Sequence, residues 1–274
     1  MCIVPFLEKG KIFRGMALCA SIANRLHENV GWMAWRKSFL TMSINVKVKR
    51  EVLTLNPWDG VRYEDALKIQ QDCCMARQTG WLLFCCPPTI TLGKRGHFLD
   101  VLMPMDELKR LGVTLLPVDR GGEVTYHGPG QIIGFPFGTL ESHTGDSRGV
   151  RKFVTQLKGT LEGFISTELK REGQREGQRD RADREVDLST PDETAGIWLN
   201  EAGARRKIVS IGLGFHRESI SHGFALNVQP MQEGFELVNP CGEIGPRTGS
   251  LFAAKKPEAE FQATLHRLAA ILGA

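Results

Sequence analysis

The sequence predicts an α+β domain spanning residues 51–274. Three observations predict it. Apolar runs of strand length recur at 81–86, 113–118, 131–137, 207–215 and 223–228. One long apolar stripe at helical spacing runs from Val150 to Leu169, with shorter ones at each end of the domain. Strands and helices do not alternate regularly, which argues against a parallel βαβ design.

Residues 1–50 lack clean periodicity and are set aside from the fold as an N-terminal extension expected to be poorly ordered. They carry nine Lys/Arg against only Glu8 and Glu28, a balance that an organellar transit peptide shares; a start at Met42 is the plainer alternative. The Asn56–Gly60 stretch reads as a turn. Tyr63, Ala66, Leu67, Cys73 and Cys74 then share one helix face, interrupted by the polar Gln70, and Gly80 stops the helix. Trp81–Cys86 reads as a buried strand ended by Pro87-Pro88. Val113–Val118 is a second strand. Gln131–Phe137 is a third, in which Pro136 predicts an edge or a bulge.

Val150, Phe153, Val154, Leu157, Leu161, Phe164, Ile165 and Leu169 form the clearest amphipathic helix, explained by core packing alone. Of the 20 residues from Glu168 to Asp187, 13 are charged. Such a stretch cannot build a core, so a solvated insertion or helix extension is expected over 168–195. Strands at Lys207–Phe215 and Gly223–Val228 follow. A final helix presents Phe261, Leu265, Leu268 and Leu272.

Composition narrows the function. At 42% hydrophobic and 24% charged with a net charge of +4, the chain is too weakly basic to predict a nucleic-acid partner and suits acidic protein partners. No apolar run reaches membrane-spanning length, so no membrane partner is expected. The seven cysteines include two adjacent doublets and no C-x-x-C. That is poor spacing for a zinc site, gives no secreted disulfide framework, and points to reduced thiols in a cytosol-like compartment.

Four clusters carry chemistry. The densest is Arg120-Gly-Gly-Glu-Val-Thr-Tyr-His-Gly-Pro-Gly-Gln131, whose glycines and prolines let backbone approach a ligand while Arg120, Thr125, Tyr126, His127 and Gln131 supply polar groups. Neither a phosphate-binding loop nor a dinucleotide fingerprint is present. The second is Arg205–Gly212, where Lys207 opens an apolar strand; a desolvated lysine sheds its proton readily and acts as a base. The third is His222–Val228. The fourth places Cys241 between Pro240 and Gly242 on a tight turn, an unusual position for a structural thiol. A thiol and a base suffice for covalent acyl transfer. Spacing leaves Lys207, His127 and His222 all open as that base.

These motifs resemble the lipoyl(octanoyl) transferase family. The resemblance rests on the Arg-Gly-Gly-x-x-Thr-Tyr-His-x-Pro-Gly-Gln stretch, Thr91-Leu92-Gly93 after Pro87-Pro88, Lys-Ile-x-x-Ile-Gly at 207–212, His-Gly-x-Ala-Leu-Asn at 222–227, and Pro-Cys-Gly at 240–242. It covers about residues 55–270. It implies a biotin/lipoyl ligase-like catalytic domain, with a central mixed sheet and flanking helices. It also implies octanoyl transfer from acyl carrier protein to the lysine of a lipoyl domain, the first step of protein lipoylation. The acceptors so implied are the E2 subunits of 2-oxoacid dehydrogenases and the H protein of glycine cleavage.

By the same resemblance Cys241 is the acyl-thioester nucleophile and Lys207 its acid/base partner. Arg120, Gly121, Gly122, Glu123, Val124, Thr125, Tyr126 and His127, with Ser210, Ile211, Gly212, His222, Gly223 and Phe224, bind acyl chain and thioester. No metal or cofactor is expected, and no ATP, since a thioester donor is already activated. The location expected is cytoplasmic, or mitochondrial or plastid if residues 1–50 are a transit peptide. Phe224 stands where the family has leucine, which bears on acyl-chain length. An ATP-dependent lipoate or biotin ligase, a cysteine hydrolase and a non-enzymatic acyl binder are the competing readings.

Overall fold

The computed structural model describes residues 51–56, 60–176, 184–187, 196–201, 203–216, 219–239 and 248–274. All fall in one unit, Asn45–Ala274. The expected extension at 1–50 and the Pro240–Gly242 turn lie outside the described residues.

The strands are β1 (Glu51–Thr54), β2 (Gly80–Phe84), β3 (Thr89–Leu92), β4 (Thr114–Pro117), β5 (Val124–His127), β6 (Gln131–Phe137), β7 (Arg184–Val186), β8 (Gly196–Glu201), β9 (Ala204–His216) and β10 (Ser219–Asn227). The helices are α1 (Tyr63–Met75), α2 (Met105–Arg110), α3 (Leu140–Thr144), α4 (Val150–Glu176), α5 (Gln232–Phe235) and α6 (Glu258–Leu272). The main sheet has the order β1-β2-β6-β10-β9-β8-β7, and a smaller one the order β4-β3-β5. Among the described residues only the β1–β2 and β3–β4 strand pairs are parallel, so the main sheet is mixed, as expected, and the smaller one is mixed too.

Alternation along each strand sorts the main sheet into two faces. Trp81, Leu83, Ile132, Ile197, Leu199, Val209, Ile211, Phe224 and Leu226 join Phe153, Leu157, Leu161 and Phe164 of α4 and Phe261, Leu265 and Leu268 of α6 in one core. On the opposite face Tyr63 of α1 packs edge-on against Phe84 and Phe135. Coverage on both faces explains why β2 and β6 are buried throughout and read as continuous apolar runs.

The structure departs from the sequence reading at four places. The small sheet was unforeseen: β3 was read only as a motif, and β5 forms the second half of what reads as a binding loop. Pro136 is not at an edge, since β6 runs between β2 and β10. The irregularity it predicts is real. The β6–β10 ladder ends at Gly134 and Phe224 and the strands meet again only where Ile220 donates to the Gly138 carbonyl. Gln70 is no interruption of the α1 face. It is fully buried and fills that gap, Nε2 donating to the carbonyls of Pro136 (2.5 Å) and His222 (2.9 Å) while Oε1 accepts from the His222 N–H (2.9 Å).

Last, the charged stretch is only in part a solvated extension of α4. Glu168 and Glu172 are buried and pair with Arg267 and Lys256. Arg184–Val186 is an edge strand on β8, and Asp187 holds Arg205 at 2.6 Å. An apolar-pattern reading misses charges that are buried in pairs.

Candidate active site

The site is built on the sheet face that α1 covers. On β9 this depends on one extra residue. Val209 pairs with Ile197 and Lys207 with Trp198, so Ile208 bulges unpaired between them. Ile208, Val209 and Ile211 all belong to the α4-side core. Lys207, Ser210 and Gly212 therefore share the opposite face, although a spacing of three would normally put Lys207 and Ser210 on different sides. Lys207 lies four residues into β9 rather than opening it. Its carbonyl accepts from Gly249 N–H at 2.9 Å and its backbone bridges to Thr248.

The loop before β5 is held on this face by Arg120. This buried guanidinium donates through Nη2 and Nε to Thr91 Oγ1 (2.9 and 3.1 Å), and to the carbonyls of Thr91, Gly121 and Glu123. Gly121 N–H donates to the Leu213 carbonyl at 2.8 Å, tying the loop to β9. Gly122 takes a left-handed φ of 88°. A side chain at Gly212 would press on Arg120 Cδ and the Gly121 carbonyl, at 3.1 and 3.2 Å. Glu123 faces outward to Arg95.

Along β5 the side chains divide. Val124 and Tyr126 join Ile90, Leu92 and Val238 in the core of the small sheet. Thr125 and His127 alternate to the other side. The bonds of His127 fix its chemistry. Thr91 Oγ1 receives Arg120 at both lone pairs, so its one proton goes to His127 Nε2 at 3.1 Å. His127 Nδ1–H then donates to Gln131 Oε1 at 2.7 Å. The ring is neutral: burial and the Arg120 charge take its pKa down to about 3 against the pull of Gln131. From Gln131, Nε2 donates to Asn227 Oδ1 at 2.9 Å, and Asn227 Nδ2 donates to the Gly249 carbonyl at 3.0 Å. A continuous polar chain thus runs from Arg120 to Gly249, whose N–H bonds the Lys207 carbonyl.

His222 has a left-handed φ of 56°. Its neighbours Ile220, Phe224 and Leu226, two and four residues away, face the α4-side core, and the reversed backbone turns the imidazole to the α1 side instead. There Nε2–H donates to Asp119 Oδ1 at 2.5 Å, and Tyr63 O–H, 3.1 Å away, donates to Nδ1. Burial depresses the His222 pKa and Asp119 opposes that. Burial pushes the Asp119 carboxyl up, but hydrogen bonds from His222 and His216 outweigh it and hold it below the usual range. Burial raises the Tyr63 phenol, which stays protonated. Gly223 has backbone of β6 against it, a Cβ there falling 1.9 Å from the Gly134 carbonyl oxygen.

The structure thus brings Arg120, Gly121, Gly122, Thr125, His127, Lys207, Ser210, Gly212 and His222 to one side of the fold. Ile211 and Phe224 point to the other side, with the Phe224 ring 5.8 Å from Trp81. Both ring nitrogens of His127 and of His222 are hydrogen-bonded within the fold. Sequence reasoning missed Asp119, Gln70 and Trp198. Asp119 carried a signal in lying directly before Arg120-Gly-Gly, and Gln70 one in standing polar on an apolar helix face. No group of three His, Cys, Asp or Glu suited to a metal occurs among the described residues. Nor does any of their helices have the length and apolarity to cross a membrane.

Comparison with known proteins identifies the family and the fold. Residues 62–272 match the model of the lipoyl protein ligase A/B catalytic domain. An octanoyltransferase of Desulforamulus reducens is 35% identical over 187 residues, covering 66% of this chain and 72% of the relative. One of Caldicellulosiruptor saccharolyticus is 34% identical over 218 residues, covering 78% and 84%. Among solved structures, a lipoate-protein ligase A bound with ATP has a TM-score of 0.53 at 14% identity, covering 80% and 83% of the two chains. A bi-partite lipoate protein ligase from Thermoplasma acidophilum has a TM-score of 0.51 at 13% identity, covering 79% and 80%; both likenesses concern the fold. This chain belongs to the lipoyl protein ligase A/B catalytic-domain family and, within it, to the octanoyltransferases.

Proposed function

We propose that the chain carries an octanoyl group from acyl carrier protein to the target lysine of a lipoyl domain, through a thioester on Cys241 with Lys207 as acid and base. The observation that supports it best is the β9 bulge, which turns Lys207 to the face of Ser210 and Gly212. The chain that contains Cys241 rejoins β9 at Thr248, bridged to Lys207 itself. Cys241 precedes Thr248 by seven positions in the chain, a span of at most about 25 Å.

In the first half-reaction the Lys207 amine takes the Cys241 thiol proton. The thiolate attacks the donor thioester, and the carrier thiol leaves with the proton returned by the Lys207 ammonium. In the second half-reaction the acceptor lysine amine attacks the acyl-enzyme and gives up a proton to Lys207, and the Cys241 thiolate is released and reprotonated. Arg120 and the glycines around it keep the 120–123 loop close against β9, where Ser210 and Gly212 form the floor. His127 and His222 hold structure and orient the surroundings. Acceptors of the proposal are E2 lipoyl domains and the glycine-cleavage H protein, in a reducing compartment such as the cytoplasm that keeps the thiol active.

Intact-mass analysis after mixing with octanoyl carrier protein tests this. We expect an octanoyl adduct on Cys241, none in Cys241→Ser, and transfer to a lipoyl domain without ATP. An adduct on a doublet cysteine, or strict ATP dependence, would overturn the proposal. Lys207→Ala should slow acylation by about 10²–10⁴.

A further inference from the structure

β8 residues hold the Lys207 side chain, and none of the motifs read from the sequence includes them. Gly196 and Trp198 stand on the same face of β8, with Ile197 and Leu199 turned to the core. Trp198 is the cross-strand partner of Lys207. The Lys207 Nζ lies 5.0 Å from the Trp198 ring centroid, within the range where an ammonium is attracted to the ring face. Gly196 leaves room for the lysine stem: a Cβ there would come within 2.5 Å of Lys207 Cε. The same ring carries the Arg205 guanidinium at 4.7 Å, and Arg205 is anchored to the buried Asp187. One indole is therefore shared by two cations of β9, one of them tethered by a carboxylate.

We propose that Trp198, with Gly196 beneath it, is the positioning residue that aims Lys207 across the site. The ring limits the lysine to rotamers that lie over Gly196 and stabilises the ammonium that forms each time Lys207 accepts a proton. Without the ring the four-carbon stem regains its rotamers, and the amine is less often in place. This inference rests on the assignment of Lys207 as acid and base.

The test uses the full chain, with octanoyl carrier protein as donor and a lipoyl domain as acceptor. Trp198→Leu should lower kcat about tenfold and leave both KM values and the melting temperature near wild type. Trp198→Phe, which retains an aromatic face, should recover to within about threefold. Gly196→Ala should lower kcat as well. That variant also meets the Val209 carbonyl at 2.6 Å and can fail to fold, so the Trp198 pair decides. Unchanged kcat in Trp198→Leu, equal losses in the Leu and Phe variants, or a rise in KM alone would overturn the inference, the last by making Trp198 a partner contact. Lys207→Ala is run beside them. Full activity in that variant sinks the acid/base assignment itself, whereas loss there with an unaffected Trp198→Leu sinks only the positioning role.

Discussion

Replacing Gln70 by leucine tests how the site face is held open. The substitution conserves volume but removes three hydrogen bonds, from Gln70 to the Pro136 carbonyl and to both backbone groups of His222. Those groups are buried where the β6–β10 ladder lapses, so no strand partner replaces the amide. A buried backbone group left unpaired costs about 1–3 kcal/mol. The three are coupled and will not sum fully; we expect a loss of about 3–5 kcal/mol. For a domain of this size that lowers Tm by roughly 6–20 °C. His222 has a second reason to move, since a left-handed backbone costs a non-glycine residue about 1–3 kcal/mol and persists only when surrounding bonds impose it. Urea unfolding of wild type, Gln70→Leu and Gln70→Glu measures the effect. Glutamate keeps the acceptor for His222 N–H but cannot donate to two carbonyls, so it should be at least as damaging. A loss below about 1 kcal/mol in Gln70→Leu would refute the reasoning, because it would mean the gap closes without the amide.

His127 titrates at about 3 when folded and near 6.5 when unfolded, so protons bind the unfolded chain first. Its contribution to stability is present above pH 6.5 and is lost as pH falls toward 3, with a slope of up to about 1.4 kcal/mol per pH unit; His127→Gln should flatten this dependence in denaturant titrations at pH 7, 6 and 5. Glu168 accepts both guanidinium arms of Arg267, at 2.8 and 2.7 Å. Glu168→Ala should destabilise by about 2–3 kcal/mol, below the roughly 3–5 kcal/mol of a fully buried pair because Arg267 is 22% exposed, while shortening 177–183 alone should leave acylation unchanged. Burial pushes the Cys86 thiol up to about 12 and raises Cys85 further, so iodoacetamide at pH 7.5 should spare both in the folded protein and label them in urea.

Much of the fold is legible in the sequence because burial on two faces writes itself as uninterrupted apolar runs, as at β2 and β6, and α4 writes itself as a stripe. The small sheet is hidden for the opposite reason. β3 and β5 carry Thr89, Thr91, Thr125 and His127, buried polar side chains; Thr91 bonds His127 and Arg120, and Thr89 the Pro87 carbonyl, but a pattern reading takes the run for loop. Gln70 is missed likewise: on a helix wheel it interrupts an apolar face, and only the three-dimensional gap between β6 and β10 gives it partners. At the site, motif residues name the participants without giving their facing. Nothing in the spacing of Lys207 and Ser210 reveals the bulge, and nothing before the backbone is traced reveals that His222 points away from the core side its neighbours occupy. The ionic stretch after Glu168 misleads because composition cannot distinguish a charge in water from one paired in the interior.

The bulge at Ile208 makes the parity of one strand a functional quantity. Side chains on a strand alternate like the two colours of a chequered row, and an inserted square recolours everything beyond it. Here the inserted residue lets the apolar half of β9 keep its grip on the α4-side core while the lysine before it changes sides. Substituting Ile208 by valine leaves that count intact. Deleting any single residue between Lys207 and Ser210 does not, even where composition and hydropathy barely change. The chain must then either carry an ammonium into the core beneath α4 or shift the whole leading half of the strand against β8. The tolerance of this segment is therefore to be measured in residues counted rather than in side chains exchanged.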